Sequence, residues 1–248
     1  GVAGPASSGI FFGGATNTPG TTITAVTEEY SGFAWTEEGN LNTTRYYMSG
    51  FGTQTAAVAA GGFNGTANVA NVEEYDGSSW SEVTDIPAAA RSQGAAGPQT
   101  AGLIFGAANS PTVKTFEYDG TNWTAGGDLN TGRKYLAGTG TQTATLAAGG
   151  SVGTPVRSVD TEEYDGSSWT TVNSMNTGRA ALGGSGIQTS TVVAGGSTGG
   201  SPASSTAIEE YDGTNWTTSP ATLSTTRRYL GGFGTSLNAG VFCGGKNG

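Results

Sequence analysis

A chain of 248 residues is long enough to bury one sizeable core, yet 44 of its residues are Gly and only 12% are charged, a balance that suits many short strands joined by tight turns. The net charge of −9, with only ten Lys and Arg, argues against nucleic acid as a partner, because phosphate binding draws on clustered cations. Histidine is absent, which excludes Ser-His-Asp and Cys-His catalysis, and the single cysteine, Cys243, excludes an internal disulfide. No apolar run approaches the roughly 18 residues of a membrane span, so membrane insertion is not expected, and Gly1 to Gly14 lacks the basic segment of a secretory signal.

In chain order, Val2-Ala3-Gly4 reads as the tail of a short strand, and Ile10 to Gly14 as an apolar strand ending in diglycine. A hairpin follows, from a strand ending at Tyr30 to one opening at Trp35. Arg45 then opens a Gly-rich strand, a turn at Gln54 leads into an apolar strand ending at Gly62, and the hairpin returns as Tyr75-Asp-Gly-Ser-Ser-Trp80. The unit recurs along the chain. Trp35, Trp80, Trp123, Trp169 and Trp216 are spaced by 45, 43, 46 and 47 residues, and each lies five residues after a tyrosine: Tyr30, Tyr75, Tyr118, Tyr164 and Tyr211. An Arg follows each Trp, at Arg45, Arg91, Arg133, Arg179 and Arg227, and Gln54, Gln99, Gln142 and Gln188 mark the next turn. Asp-Gly between two strand-forming stretches is a hairpin signal, because Gly accepts the positive φ that the turn needs. Four strands per unit are therefore predicted: a after the Arg, b ending in Gly-Gly, c ending in Glu-Tyr and d at the Trp.

A strand ending in diglycine, then Tyr, Trp and an Arg opening the next unit resembles the kelch repeat, which builds four-stranded β-propeller blades. The phrase Glu-Glu-Tyr-Asp-Gly-Ser-Ser-Trp with Asn-Thr-Gly-Arg is most similar to kelch-type arrays in virion structural proteins of marine bacteriophages. The resemblance implies an all-β propeller in one domain spanning residues 1–248. Its repeat units fall at about 1–44, 45–90, 91–132, 133–178 and 179–226, with a half-repeat at 227–248. Strand b occurs six times but the Tyr-to-Trp hairpin only five. Two closures follow: six blades with the last, Arg227 to Gly245, half built, or five blades in which Arg227 to Gly245 joins the hairpin at Tyr30 and leaves residues 1–14 spare.

Recurrence in every unit points to architecture. The Tyr and Trp are expected to pack between blades, and the five Arg to pair with the acids preceding each Tyr: Glu29, Glu74, Glu117, Glu163 and Glu210. Adjacent Glu-Glu pairs do not make a glycosidase, whose two acids face one cleft at about 5 to 9.5 Å, since neighbours on a strand point to opposite faces. Asp76, Asp119, Asp165 and Asp212 suit calcium, but Asp is also the residue such turns favour for backbone reasons. No enzyme activity, cofactor or metal is expected.

Because strand direction alternates, the b-to-c and d-to-a loops share one face of the propeller. The b-to-c loops vary freely in sequence, and recognition usually resides in such loops. Phe63, Asn64, Asn109 and Arg157 are the ligand-binding candidates there. The expected role is a structural or adhesive module of a virion or other extracellular assembly, such as a tail fibre used in host attachment. The alternatives are a carbohydrate-binding propeller and a kelch adaptor for protein partners. Expected partners are other virion or assembly proteins, a further copy of the chain, or a cell-surface glycan.

Overall fold

The computed structural model describes residues 1–16, 22–108, 112–153, 155–199, 204–236 and 239–247. All of its regular elements are strands. Blade 1 comprises β1 (Val2–Ala3), β2 (Gly9–Ala15), β3 (Ile23–Tyr30) and β4 (Trp35–Glu38), and blade 2 comprises β5 (Ser49–Thr53), β6 (Ala56–Ala60), β7 (Val72–Tyr75) and β8 (Trp80–Val83). Blade 3 holds β9 (Gly94–Ala96), β10 (Gly102–Phe105), β11 (Thr115–Tyr118) and β12 (Trp123–Ala125). Blade 4 holds β13 (Ala137–Thr141), β14 (Ala144–Ala148), β15 (Thr161–Tyr164) and β16 (Trp169–Val172). Blade 5 is formed by β17 (Gly183–Ile187), β18 (Ser190–Ala194), β19 (Ser205–Tyr211) and the first part of β20 (Trp216–Ser236). Each blade is an antiparallel meander, and the five are arranged as a β-propeller.

The strand sequences explain the layering. The second strand Ala56–Ala60 is a continuous run of small apolar residues, and Ala144–Ala148 departs from one only at Thr145 and Leu146; both are buried on both faces beyond their first residue. The innermost strands alternate with Gly because the axis is crowded: a Cβ on Gly138 would lie 2.5 Å from the Ala95 carbonyl oxygen, and one on Gly232 2.6 Å from that of Gly184. Hydrophobic clusters then form between neighbouring blades. Phe12 of blade 1 meets Trp80 of blade 2 at 4.8 Å between ring centroids, Phe51 of blade 2 meets Tyr118 of blade 3 at 6.5 Å, and Phe105 of blade 3 meets Trp169 of blade 4 at 4.8 Å.

The sixth inner strand pair is accounted for differently. Beyond blade 5, β20 runs on and pairs with β21 (Ala239–Lys246), so that Leu230 faces Gly244 and Phe233 faces Val241. This hairpin is wedged between blade 5 and blade 1. Gly232 lies against Gly184 of β17, Gly231 against Val2 of β1, and Phe233 packs on Gly9 and on the rings of Tyr30 and Trp35. Phe233 thus makes toward blade 1 the contact that Phe51 makes toward blade 3. Residues 1–14 are not spare, because β2 pairs with β3 along Gly9–Tyr30 to Ala15–Ile23. The closure in which Arg227 to Gly245 takes over the Tyr30 hairpin is therefore not the one observed: five blades are complete, and the hairpin is half of another.

Candidate functional site

Most of the repeated side chains are committed to joining strands and blades. Arg45, Arg133 and Arg179 are fully buried, and each reaches two backbone carbonyls and one carboxylate, Glu73, Glu162 or Glu209, at 2.8 Å. Burial pulls these guanidinium groups below their usual range, and the carboxylate opposes the shift. The partner acid is thus the one two residues before Tyr, not the adjacent acid that the sequence suggested. The adjacent acids instead bridge blades: the hydroxyls of Tyr75, Tyr118, Tyr164 and Tyr211 donate to Glu29, Glu74, Glu117 and Glu163 of the preceding blade at 2.5 to 3.0 Å. The reason is the strand period of two, which turns neighbouring acids to opposite faces of the sheet.

Blade 3 departs from this pattern at both partners. Phe116 stands where blades 2, 4 and 5 place the buried acid, and Arg91 lies over the ring of Phe63 at 4.5 Å instead of entering an ion pair. A cavity of about 220 Å³, lined in part by Phe116, Ile104 and Gly106, lies in the same region.

The indoles follow the blade-to-blade logic. Trp80, Trp169 and Trp216 donate to the hydroxyls of Thr27, Thr115 and Thr161 of the preceding blade at 2.9 to 3.0 Å. The turn aspartates are occupied locally: Asp165 accepts from Ser167 and Ser168, which holds its carboxyl down at about 2, and Asp76, bonded to Ser79 and Ser78, is alike. Among the described residues, no three His, Cys, Asp or Glu converge to hold a metal ion.

The side chains left without such duties meet on the axis. A cavity of about 450 Å³ is lined by the innermost strands, and among its lining residues are Tyr46, Tyr47, Tyr135, Tyr229 and Lys246. Tyr47, Tyr135 and Tyr229 form a triangle with ring centroids 5.3 to 5.8 Å apart. The backbone builds this triangle. Tyr47, Tyr135, Ala181 and Tyr229 lie two residues beyond a repeated Arg and Ser92 one residue beyond Arg91, all with φ between 57° and 61°. For non-Gly residues this conformation is costly, and here a chain of hydrogen bonds offsets it: Ser92 N to Tyr47 O, Tyr135 N to Ser92 O, Ala181 N to Tyr135 O and Tyr229 N to Ala181 O, at 2.7 to 2.9 Å. The tyrosines therefore sit on a braced arc at the end of the axis that carries the variable loops.

Cations surround them. The ammonium of Lys134 lies 5.9 Å from the Tyr135 ring centre, and that of Lys246 5.6 Å and the Arg228 guanidinium 6.0 Å from Tyr229. Arg157 lies close enough to act electrostatically on the Tyr229 phenol. No Asp or Glu is among the described residues lining the cavity, although the chain carries 19 of them. Burial raises the Tyr47 and Tyr229 phenols above their usual range, so both stay protonated and able to donate. The mouth can thus offer aromatic faces, phenolic donors and positive charge to a ligand.

The four residues singled out from sequence are placed unevenly around this mouth. Phe63 packs edge-on against Tyr46 at 5.5 Å, while the Asn64 carboxamide oxygen accepts from the amides of Thr66 and Ala67 and so shapes its own loop. Arg157 donates to the Ser151 hydroxyl at 3.2 Å. Asn109 lies outside the described residues. The tyrosine triangle itself was not among the candidates. Its signal is present, however, in Arg45-Tyr-Tyr47, Arg133-Lys-Tyr135 and Arg227-Arg-Tyr229.

No protein-family model matches the chain, and no curated protein matches it in sequence. The propeller fold supports a binding or interaction module in general.

Proposed function

We propose that this chain is a non-enzymatic recognition propeller, an attachment module of a virion or other extracellular assembly, which binds a carboxylate-bearing glycan at the mouth of its axial cavity. The observation that carries the reading is the cluster of Tyr47, Tyr135 and Tyr229 with Lys134, Arg228 and Lys246, formed without a lining acid in a chain of net charge −9. Aromatic faces stack on sugar rings, protonated phenols donate to hydroxyls, and the cations favour a carboxylate. The likeness of the repeat to kelch-type arrays of marine phage virions supports the placement on a virion. The lack of histidine supports the non-enzymatic reading, as does the engagement of most of the repeated acids by Arg, Tyr and turn amides.

Binding is tested on a panel of immobilised glycans that differ only in carrying a uronic or sialic acid or its neutral counterpart. The acidic members should bind, more weakly as salt rises, and Tyr229→Ala and Lys246→Ala should each weaken binding roughly tenfold, while Asn64→Ala leaves it unchanged. Equal binding of neutral and acidic members, or binding untouched by both mouth substitutions, contradicts the proposal.

A further inference from the structure

The seam between blade 5 and blade 1 carries a second and unrelated set of open positions. The hairpin of β20 and β21 supplies the two inner strands of a blade, and among the described residues no strand pairs with the outer edge of β21. The groups that an outer strand pair would satisfy are all present and all lack their usual partner. Arg227 bonds the Gly244 carbonyl at 2.9 Å, as Arg133 bonds Gly149, but it has no carboxylate corresponding to Glu162. Glu210, in register with Glu163, receives no tyrosine hydroxyl. Tyr30 turns its hydroxyl back to the Gly32 carbonyl of its own turn, whereas Tyr75, Tyr118, Tyr164 and Tyr211 each reach the preceding blade. The Trp35 indole finds no threonine, and its side chain is 40% exposed where Trp169 is 6% exposed; Phe33 beside it is 90% exposed.

From these vacancies we infer that the seam is an acceptor site for a β-hairpin carrying the repeat's own outer-strand signature, Thr-Glu-Glu-Tyr-Asp-Gly-x-x-Trp. The contacts of the complete blades define what each residue of that guest does. Its Thr accepts from the Trp35 indole, its first Glu enters the ion pair with Arg227, its second Glu accepts from Tyr30, and its Tyr donates to Glu210. Its first strand extends the sheet from β21 and caps an edge that otherwise invites pairing. Charge decides the occupant: an unpaired cation and an unpaired carboxylate stand in the two places where this sequence, and no generic apolar strand, supplies an acid and a hydroxyl. The inference does not depend on glycan binding.

The probe is a synthetic peptide copying residues 158–173, Ser158 to Asn173, titrated into the full chain while Trp35 accessibility is followed by acrylamide quenching. One peptide should bind per chain and shield Trp35, and a peptide with Gln at the position of Glu162 should bind about tenfold more weakly. Against the Arg227→Gln protein the two peptides should bind alike, a coupling that nonspecific edge pairing would not show. A free hairpin is poorly ordered, so a second arm appends residues 151–173 after Gly248. This extended chain should melt several degrees higher than the parent, and Arg227→Gln should remove most of the gain. Failure of both the peptide and the extended chain to protect Trp35 overturns the inference. So does protection of Trp35 by self-association of the unmodified chain, which would make a second copy the occupant.

Discussion

Removing the Arg133 side chain is the sharpest perturbation of the propeller's internal wiring. Its guanidinium donates to the Gly149 carbonyl at 2.8 Å, the Asp160 carbonyl at 2.6 Å and the Glu162 carboxylate at 2.8 Å, and both ends of the ion pair are buried. In Arg133→Met the Glu162 carboxylate keeps only the amides of Asn130 and Thr131 and remains out of water with its charge uncompensated. Breaking a buried pair from one side costs about 3 to 5 kcal/mol. Arg227 provides the internal control, since it makes one carbonyl bond at an exposed site and no ion pair. Arg227→Met should therefore cost about 1 kcal/mol or less. Urea unfolding followed by tryptophan fluorescence reads both, with the midpoint of Arg133→Met falling far below that of Arg227→Met at a similar slope. Equal losses from the two substitutions would refute the assignment of the repeated Arg to a buried strand-joining role that is complete in blade 4 and incomplete at the seam.

The indoles should divide in the same way: Trp169→Ala removes a buried ring and its bond to Thr115, for a loss of about 3 to 5 kcal/mol, and Trp35→Ala in thermal melts should cost markedly less. Gly138→Ala places a methyl group 2.5 Å from the Ala95 carbonyl on the axis, so denaturation should show a loss of about 1 to 3 kcal/mol from overpacking. Acid stability tests the turns. The Asp165 carboxyl is depressed from 3.8 to about 2 by its bonds to Ser167 and Ser168, so its contribution is present above pH 3.8 and is lost as pH falls toward 2. The stability gap between the parent and Asp165→Asn should accordingly shrink between pH 4 and pH 2, and a gap independent of pH would show that the carboxylate charge plays no part.

The propeller was legible because the Tyr-to-Trp hairpin, the diglycine and the Arg recur in register, and only stacked four-stranded units can bury such repeats. The partner of each Arg was misplaced by one residue. Glu73 and Glu74 are indistinguishable in composition, and it is their opposite facing along β7 that sends one to Arg45 and the other to the Tyr118 hydroxyl of blade 3. The mouth was missed for a different reason. Tyr47, Tyr135 and Tyr229 occur in alternate units, with Ser92 and Ala181 between them, so they do not read as a repeat. They converge only because five backbone positions of positive φ are hydrogen-bonded in succession around the axis. The count of six inner strand pairs to five hairpins was visible in sequence. Which inner pair keeps the Tyr30 hairpin was not, because Ile10 to Gly14 and Val241 to Gly245 are chemically alike.

Hydrogen exchange tests that last point, and with it the architecture from which both sites follow. In blades 2 to 5 the second strands β6, β10, β14 and β18 are paired on both sides, as is β2 in blade 1, whereas among the described residues β21 is paired on one side alone. Amides of β2 should therefore exchange as slowly as those of β14, while those of β21 that face outward exchange fast. Slow exchange throughout Ala239 to Lys246, together with fast exchange from Gly9 to Ala15, would mean that the C-terminal hairpin has taken the Tyr30 pair, and would contradict the open seam.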